Sequence, residues 1–220
     1  MENYKYILFD LDGTITDPMI GITKSVEFAL NHLGIDVNDL ADLCPFIGPP
    51  LKDSFREFYS LPDDQIEIAL IKYRERYSEV GLYENYLYEG MKDILEDLDS
   101  SGFKLYLATS KPTVFAERIL DHFNLINYFT FIGGSSLDNS RNTKTAVIEH
   151  VLQINNITDL SQTIMIGDRK HDIIGAKNVG IDSVGILYGY GDYDELNLAG
   201  ATYIVEDIKG LSDLLFSKKE

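Results

Sequence analysis

The stretch ILFDLDGT ends an apolar run at two carboxylates, Asp10 and Asp12, with Gly13 and Thr14 behind them. Carboxylates held that close repel one another. A fold keeps such a pair solvated in an Asx-type turn, with Gly13 supplying the bend, or places a positive charge between them. If the run is a strand, a spacing of two points both side chains the same way. The stretch TIMIGDRKHD repeats the theme: an apolar run leads into Asp168 and then Asp172, just ahead of a helical pattern. Two such clusters meeting in one crevice make a hard-oxygen site, and carboxylates and carbonyls without His or Cys suit Mg²⁺. Thr109 and Ser110 end KLYLATSKP, where hydroxyl and N–H groups can hold phosphate oxygens or act as an ordinary cap. Lys144, in RNTKTAV, opens a helical pattern, and read in isolation it is a surface lysine. Taken together these groups describe phosphoryl transfer. A carboxylate that attacks a phosphate dianion needs a cation and a lysine to offset charge, and donors for the equatorial oxygens. A second acid then protonates the leaving alcohol and later activates water.

Elements must bring these residues together. Segments 4–9, 103–108, 129–132, 163–166 and 183–187, and a weaker one at 202–205, are apolar at nearly every position, as in strands covered on both faces of a parallel sheet. Helical patterns alternate with them: GMKDILEDLDSSG ended by Gly102, PTVFAERILDHF with Pro112 in its first turn, TKTAVIEHVLQI, and HDIIGAKNVG. This alternation predicts an α/β fold, a doubly wound parallel-sheet (Rossmann-like) core. Residues 15–89 break the rhythm with helical patterns and no convincing strand, predicting an all-α insertion after the first strand. Loops at the carboxyl ends of parallel strands border the binding crevice, so the insertion is expected to cap it. The expected domains are a core of 1–14 and 90–220 and a cap of 15–89.

Bulk properties exclude several partners. A net charge of −17 over 220 residues disfavours nucleic acid and anionic membrane surfaces, although a bound cation still permits a small phosphorylated substrate. Cys44 is the single cysteine, so no intrachain disulfide forms; it is expected as a small buried hydrophobe in a reducing compartment. MENYKY lacks the basic and apolar parts of a leader, and no apolar run approaches the roughly 20 residues that cross a bilayer. A cytoplasmic protein is expected, either monomer or homodimer.

The ordered set Asp10–Thr14 (D-x-D-G-T), Thr109 and Ser110, Lys144, and Gly167–Asp172 (G-D-R-x-x-D) resembles the haloacid dehalogenase superfamily, in its phosphoglycolate phosphatase-like branch with a helical cap. GILYGYGDYDEL and AGATYIVEDIKGLSDLL resemble its closing segments, so the likeness spans the chain. The resemblance implies a Mg²⁺-dependent phosphatase acting on a small phosphorylated metabolite through an aspartyl-phosphate. It makes Asp10 the nucleophile and Asp12 the acid and base, with Asp12's backbone carbonyl on the metal. Asp10 and Asp168 would bind the metal directly, and Asp172 through water or as an orienting group. Thr109, Ser110 and Lys144 would grip the phosphoryl group. An acid at position 12 points to ester cleavage rather than dehalogenation. FIGPPLKDSF resembles a substrate loop, making Gly48, Pro49 and Lys52 candidate substrate contacts. Related mutases usually carry Arg where Leu51 stands, which favours a phosphatase; a sugar-phosphate mutase is the alternative, as are nucleotidase, pyrophosphatase and phosphotyrosine specificities. A phospho-acceptor signalling domain would lack both the insertion and Asp12. Lys111 is placed facing the cleft, His171 exposed, and Tyr83, Tyr86 and Tyr88 around the hinge.

Overall fold

The computed structural model describes residues 4–136 and 141–216; Met1–Asn3, part of the stretch read for a leader, lie outside them. In chain order the elements are β1 (Tyr6–Phe9), β2 (Thr16–Asp17), α1 (Met19–His32), α2 (Leu51–Tyr59), α3 (Asp63–Glu79), β3 (Tyr86–Leu87) and α4 (Met91–Ser100). There follow β4 (Lys104–Pro112), α5 (Thr113–His122), β5 (Phe129–Ser135), α6 (Lys144–Ile154) and β6 (Thr163–Gly167). The chain closes with α7 (Lys170–Val179), β7 (Asp182–Ile186), α8 (Tyr193–Ala199), β8 (Tyr203–Val205) and α9 (Ile208–Phe216). Two compact units result, Met1–Thr16 with Leu87–Glu220, and Asp17–Tyr86.

The first unit is the expected doubly wound α/β fold. Its six strands run in the order β5-β4-β1-β6-β7-β8, and every pairing is parallel. The chain winds from β1 outward to β4 and β5, then returns through α6 to β6 on β1's other side. The strand order therefore reverses at β1, the position beyond whose carboxyl end doubly wound sheets bind their ligands. Ile7, Leu8 and Phe9 are fully buried, which is why this strand reads as a continuous apolar run rather than an alternating one. One face packs Leu8, Tyr106 and Met165 against Val147, Ile148 and Val151 of α6 and Ala176 of α7.

Three local expectations change. Strand β4 runs past Ala108 through Thr109–Lys111 to Pro112, which pairs with Ser135 across a register irregularity. Pro112 is therefore extended (φ −55°, ψ 134°) and precedes α5 instead of lying in its first turn. The stretch read as strand-free contributes Thr16–Asp17 and Tyr86–Leu87, which pair as a two-residue ribbon too short to leave a periodic signal.

The second unit is helical. Ile22, Val26, Ala29 and Leu30 of α1, and Ile66, Ala69, Tyr73 and Tyr77 of α3, form its buried stripes. Phe46 anchors a further cluster, with Phe55, Phe58 and Tyr59 at ring distances of 5.1, 5.4 and 6.0 Å. Cys44 is half-buried, not the buried hydrophobe expected. Among the described residues, no helix is long and apolar enough to cross a membrane.

Candidate active site

The site forms where β4, β1 and β6 end. Phe9 is in register with both Leu107 and Ile166, so Asp10, Thr109 and Asp168 emerge at nearly one level from three adjacent strands. The backbone N–H of Asp10 donates to the Ile166 carbonyl (2.9 Å), extending the β1–β6 ladder into the site. One oxygen from each of Asp10, Asp168 and Asp172 lies within 4.8 Å of the others, and all three residues are buried. Lys144, the first residue of α6, sits against this group. Its Nζ lies 2.8 Å from Asp10 Oδ1 and 2.7 Å from Asp172 Oδ1, and donates to the Ala108 carbonyl at 3.0 Å.

Each acid is fixed by its local fold. Asp172 reaches back from the first turn of α7, accepting the Arg169 backbone N–H at Oδ2 (3.1 Å), as a capping residue does. Asp168 Oδ2 accepts the Tyr190 N–H (2.8 Å), while its buried Oδ1 has no hydrogen-bond partner. Gly13 (φ +81°) and Gly189 make room for it. A Cβ on Gly13 would fall 2.1 Å from Asp168 Oδ2, and one on Gly189 would fall 2.3 Å from Asp168 Cβ. Tyr188 donates to the Thr14 carbonyl (3.0 Å) and packs against Tyr88 with ring centroids 5.0 Å apart, bracing the loop after Asp12. Arg169 and the Lys170 N–H both bind Glu195 Oε1, at 2.9 and 2.8 Å, and so tie the β6–α7 loop to α8.

The electrostatics call for more positive charge. With all four acids ionised, Asp10, Asp12, Asp168 and Asp172 face two ammonium groups, Lys144 and Lys111. Burial, then Asp172 and Asp10, push the Asp168 carboxyl well above the usual carboxylate range. Burial also raises Asp172, to about 6, against the pull of Lys144. Burial alone would lower the Lys144 ammonium, but Asp10 and Asp172 outweigh it and hold it charged. An orphaned carboxylate oxygen inside a buried, all-oxygen acidic triad fits a hard divalent cation.

The structure thus gathers Asp10, Asp12, Asp168, Asp172, Thr109 and Lys144 in one unit at adjacent strand ends. Thr109 is 1 % exposed and its Oγ1 accepts the Lys111 N–H (3.2 Å), so it belongs to a strand rather than to a helix start; Ser110 beside it is half-buried. Gly48 and Pro49 are half-buried in the helical unit and Lys52 is exposed there. Lys111 proves to be part of the site, with Nζ 2.8 Å from Asp12 Oδ2. Its only sequence signal is a lysine directly after Thr109-Ser110. His171, expected to be exposed, is half-buried. Of the three hinge tyrosines, Tyr83 and Tyr86 are exposed, and Tyr88 packs against Tyr188.

The sheet and the acid–lysine cluster are those of a doubly wound α/β protein with a buried acidic triad beside a lysine. Residues 7–186 match the haloacid dehalogenase-like hydrolase family, and the chain belongs to it. A 5′-nucleotidase of Pseudomonas aeruginosa is 45 % identical over 97 % of this chain and 96 % of its own. Tyrosine-protein kinase PtkA of Mycobacterium tuberculosis is 37 % identical over 92 % of this chain and 69 % of its own. A phosphoglycolate phosphatase of Colwellia psychrerythraea is 28 % identical over 100 % and 99 %. The crystal structure of a predicted phosphatase from Clostridium acetobutylicum superposes with a TM-score of 0.93 at 47 % identity, covering 96 % of this chain and 98 % of that one. The protein is a phosphoric monoester hydrolase of the phosphoglycolate phosphatase-like branch.

Proposed function

We propose that the chain hydrolyses a small phosphate monoester with Mg²⁺, through an aspartyl-phosphate on Asp10. The observation that carries this reading is the buried triad of Asp10, Asp168 and Asp172 with Lys144 between two of its members. Asp10 and Asp168 would hold the ion, Asp172 would act through water or orient the site, and the Asp12 backbone carbonyl would complete the protein's share. The bound cation supplies charge neutralisation for the phosphoryl oxygens. An Asp10 oxygen attacks phosphorus as Asp12 gives its proton to the departing ester oxygen. Asp12, now a carboxylate, takes a proton from the water that cleaves the aspartyl-phosphate. Thr109 and Ser110 hold equatorial oxygens, and Lys144 offsets the charge of Asp10 as the dianion arrives. Substrate choice is assigned to the helical unit, read as a cap, through Gly48, Pro49 and Lys52. The 5′-nucleotidase relative, the more similar of the two phosphatases named, supports a nucleoside 5′-monophosphate ahead of phosphoglycolate. A single cysteine suits the reducing cytoplasm assigned to the enzyme, as monomer or homodimer.

The test is hydrolysis of nucleoside 5′-monophosphates, phosphoglycolate, phosphotyrosine and p-nitrophenyl phosphate with Mg²⁺. We expect turnover that EDTA abolishes and that Asp10→Asn lowers by roughly 10³-fold or more. Full activity in Asp10→Asn, or indifference to EDTA, overturns the mechanism.

A further inference from the structure

Resting on the acid–base reading of Asp12, we propose that Lys111 is the positioning residue of the proton-transfer step, anchoring Asp12 through Oδ2 so that Oδ1 carries the proton. Both side chains are almost wholly buried, 5 % exposed for Lys111 and 11 % for Asp12, with Nζ 2.8 Å from Oδ2. Asp12 Oδ1 is buried without a hydrogen-bond partner. An ammonium 2.8 Å from Oδ2, with Oδ1 lacking a hydrogen bond, makes the two oxygens unequal: a proton on Oδ2 would face the positive charge directly.

The backbone delivers both partners. Asp12 stands in a tight turn in which the Gly13 N–H donates to the Thr16 carbonyl (2.7 Å) and the Leu11 carbonyl accepts from Thr14, Ile15 and Thr16. Lys111 lies in the irregular stretch of β4, its N–H on Thr109 Oγ1. Gly134 on β5 lets that backbone pack closely, since a Cβ there would fall 2.5 Å from the Lys111 carbonyl oxygen. Lys144 and Lys111 therefore divide the charge: Lys144 serves Asp10 and Asp172, and Lys111 serves Asp12. In the first half-reaction the bond from phosphorus to the ester oxygen breaks and its electron pair leaves with that oxygen. An Asp10 oxygen bonds to phosphorus, and the Oδ1 proton passes to the departing oxygen. The resulting Asp12 carboxylate is held against Lys111 Nζ.

A residue acting through the acid is felt most where the leaving group needs the proton. The test compares kcat/KM for an alkyl phosphate and for p-nitrophenyl phosphate in wild type, Lys111→Met, Asp12→Asn and the double variant. Lys111→Met is expected to lose roughly 10²-fold on the alkyl ester and less than about tenfold on the aryl ester. On the alkyl ester the double variant should be no worse than Asp12→Asn alone. Equal losses on both esters, or losses that multiply in the double variant, would show that Lys111 grips phosphate or only supports the fold, and would sink the proposal. If Asp12→Asn itself shows no leaving-group selectivity, the acid–base reading fails first and takes this inference with it. Should the Lys111→Met chain fail to fold, as thermal melting would report, Lys111→Arg and Lys111→Gln replace it. Arg is expected to keep the wild-type selectivity and Gln to lose it; the reverse order overturns the assignment.

Discussion

Lys144 has three ammonium protons and three oxygens around them: Asp10 Oδ1, Asp172 Oδ1 and the Ala108 carbonyl. It therefore acts as a spacer that holds two acids apart at a fixed distance before any phosphate arrives. The acids themselves were legible from residue type, because Asp at the end of a fully buried strand has few structural uses. Lys111 was weakly legible, because a lysine after Thr-Ser could be placed at the cleft but not paired with Asp12 until β4 is seen to carry it inward. Glu84, in the helical unit, gave no signal at all. Its carboxylate lies 2.8 Å from Arg76 and 3.2 Å from Lys24. Burial raises this carboxyl, but Arg76 and Lys24 outweigh it and leave it below its ordinary 4.5. A lowered folded-state value contributes stability above the unfolded value and loses it as pH falls through the folded one. We expect Glu84→Gln to cost about 1 kcal/mol near neutrality, roughly 2–4 °C in melting temperature. The gap to wild type should narrow as pH falls below 4.5 and close once pH lies below the folded-state value of Glu84. Calorimetric melts across pH check this; a gap that persists in acid would show that charge is not its cause.

At the scale of elements, HDIIGAKNVG was read as a helical pattern, and α7 runs through it to Gly180, which takes φ +83°. The pattern said nothing about Gly175. A glycine inside a helix costs about 1 kcal/mol against alanine, so its place needs a reason. A Cβ at Gly175 would fall 2.9 Å from Lys144 Cγ and 3.1 Å from Lys144 Cβ. The bare backbone of α7 is thus the wall along which the Lys144 stem runs to the acids. Gly175→Val is expected to destabilise by about 1–3 kcal/mol through overpacking. By displacing the ammonium it should also lower kcat/KM by roughly 10²-fold in protein that is still folded. Ile174→Ala, at an exposed neighbour, should change neither. Activity assayed beside circular-dichroism melts separates the two effects. Similarly, the β2–β3 ribbon escaped notice because two-residue strands have no period to detect.

For the whole molecule, alternation of apolar runs and helical stripes was enough to predict a parallel doubly wound sheet and a helical insertion. The strand order was not legible, since the central strands β1, β6 and β7 are buried on both faces and no residue pattern marks a neighbour. That order has a consequence for the chain as it is made. The first strand synthesised is the sheet's central one, and it is flanked by partners from far downstream: Phe9 pairs with Leu107 and with Ile166. Contacts so distant in sequence make for slow assembly, and a nascent chain cannot finish its centre until β6 has left the ribosome. A chain ending at residue 160 is expected to be digested by protease as an unfolded polypeptide, whereas the full chain resists; a protected 1–160 fragment would refute this. Asp10 emerges early, yet Asp168 joins it only near the end of translation, so a half-made enzyme presents no completed trap for cation or phosphate.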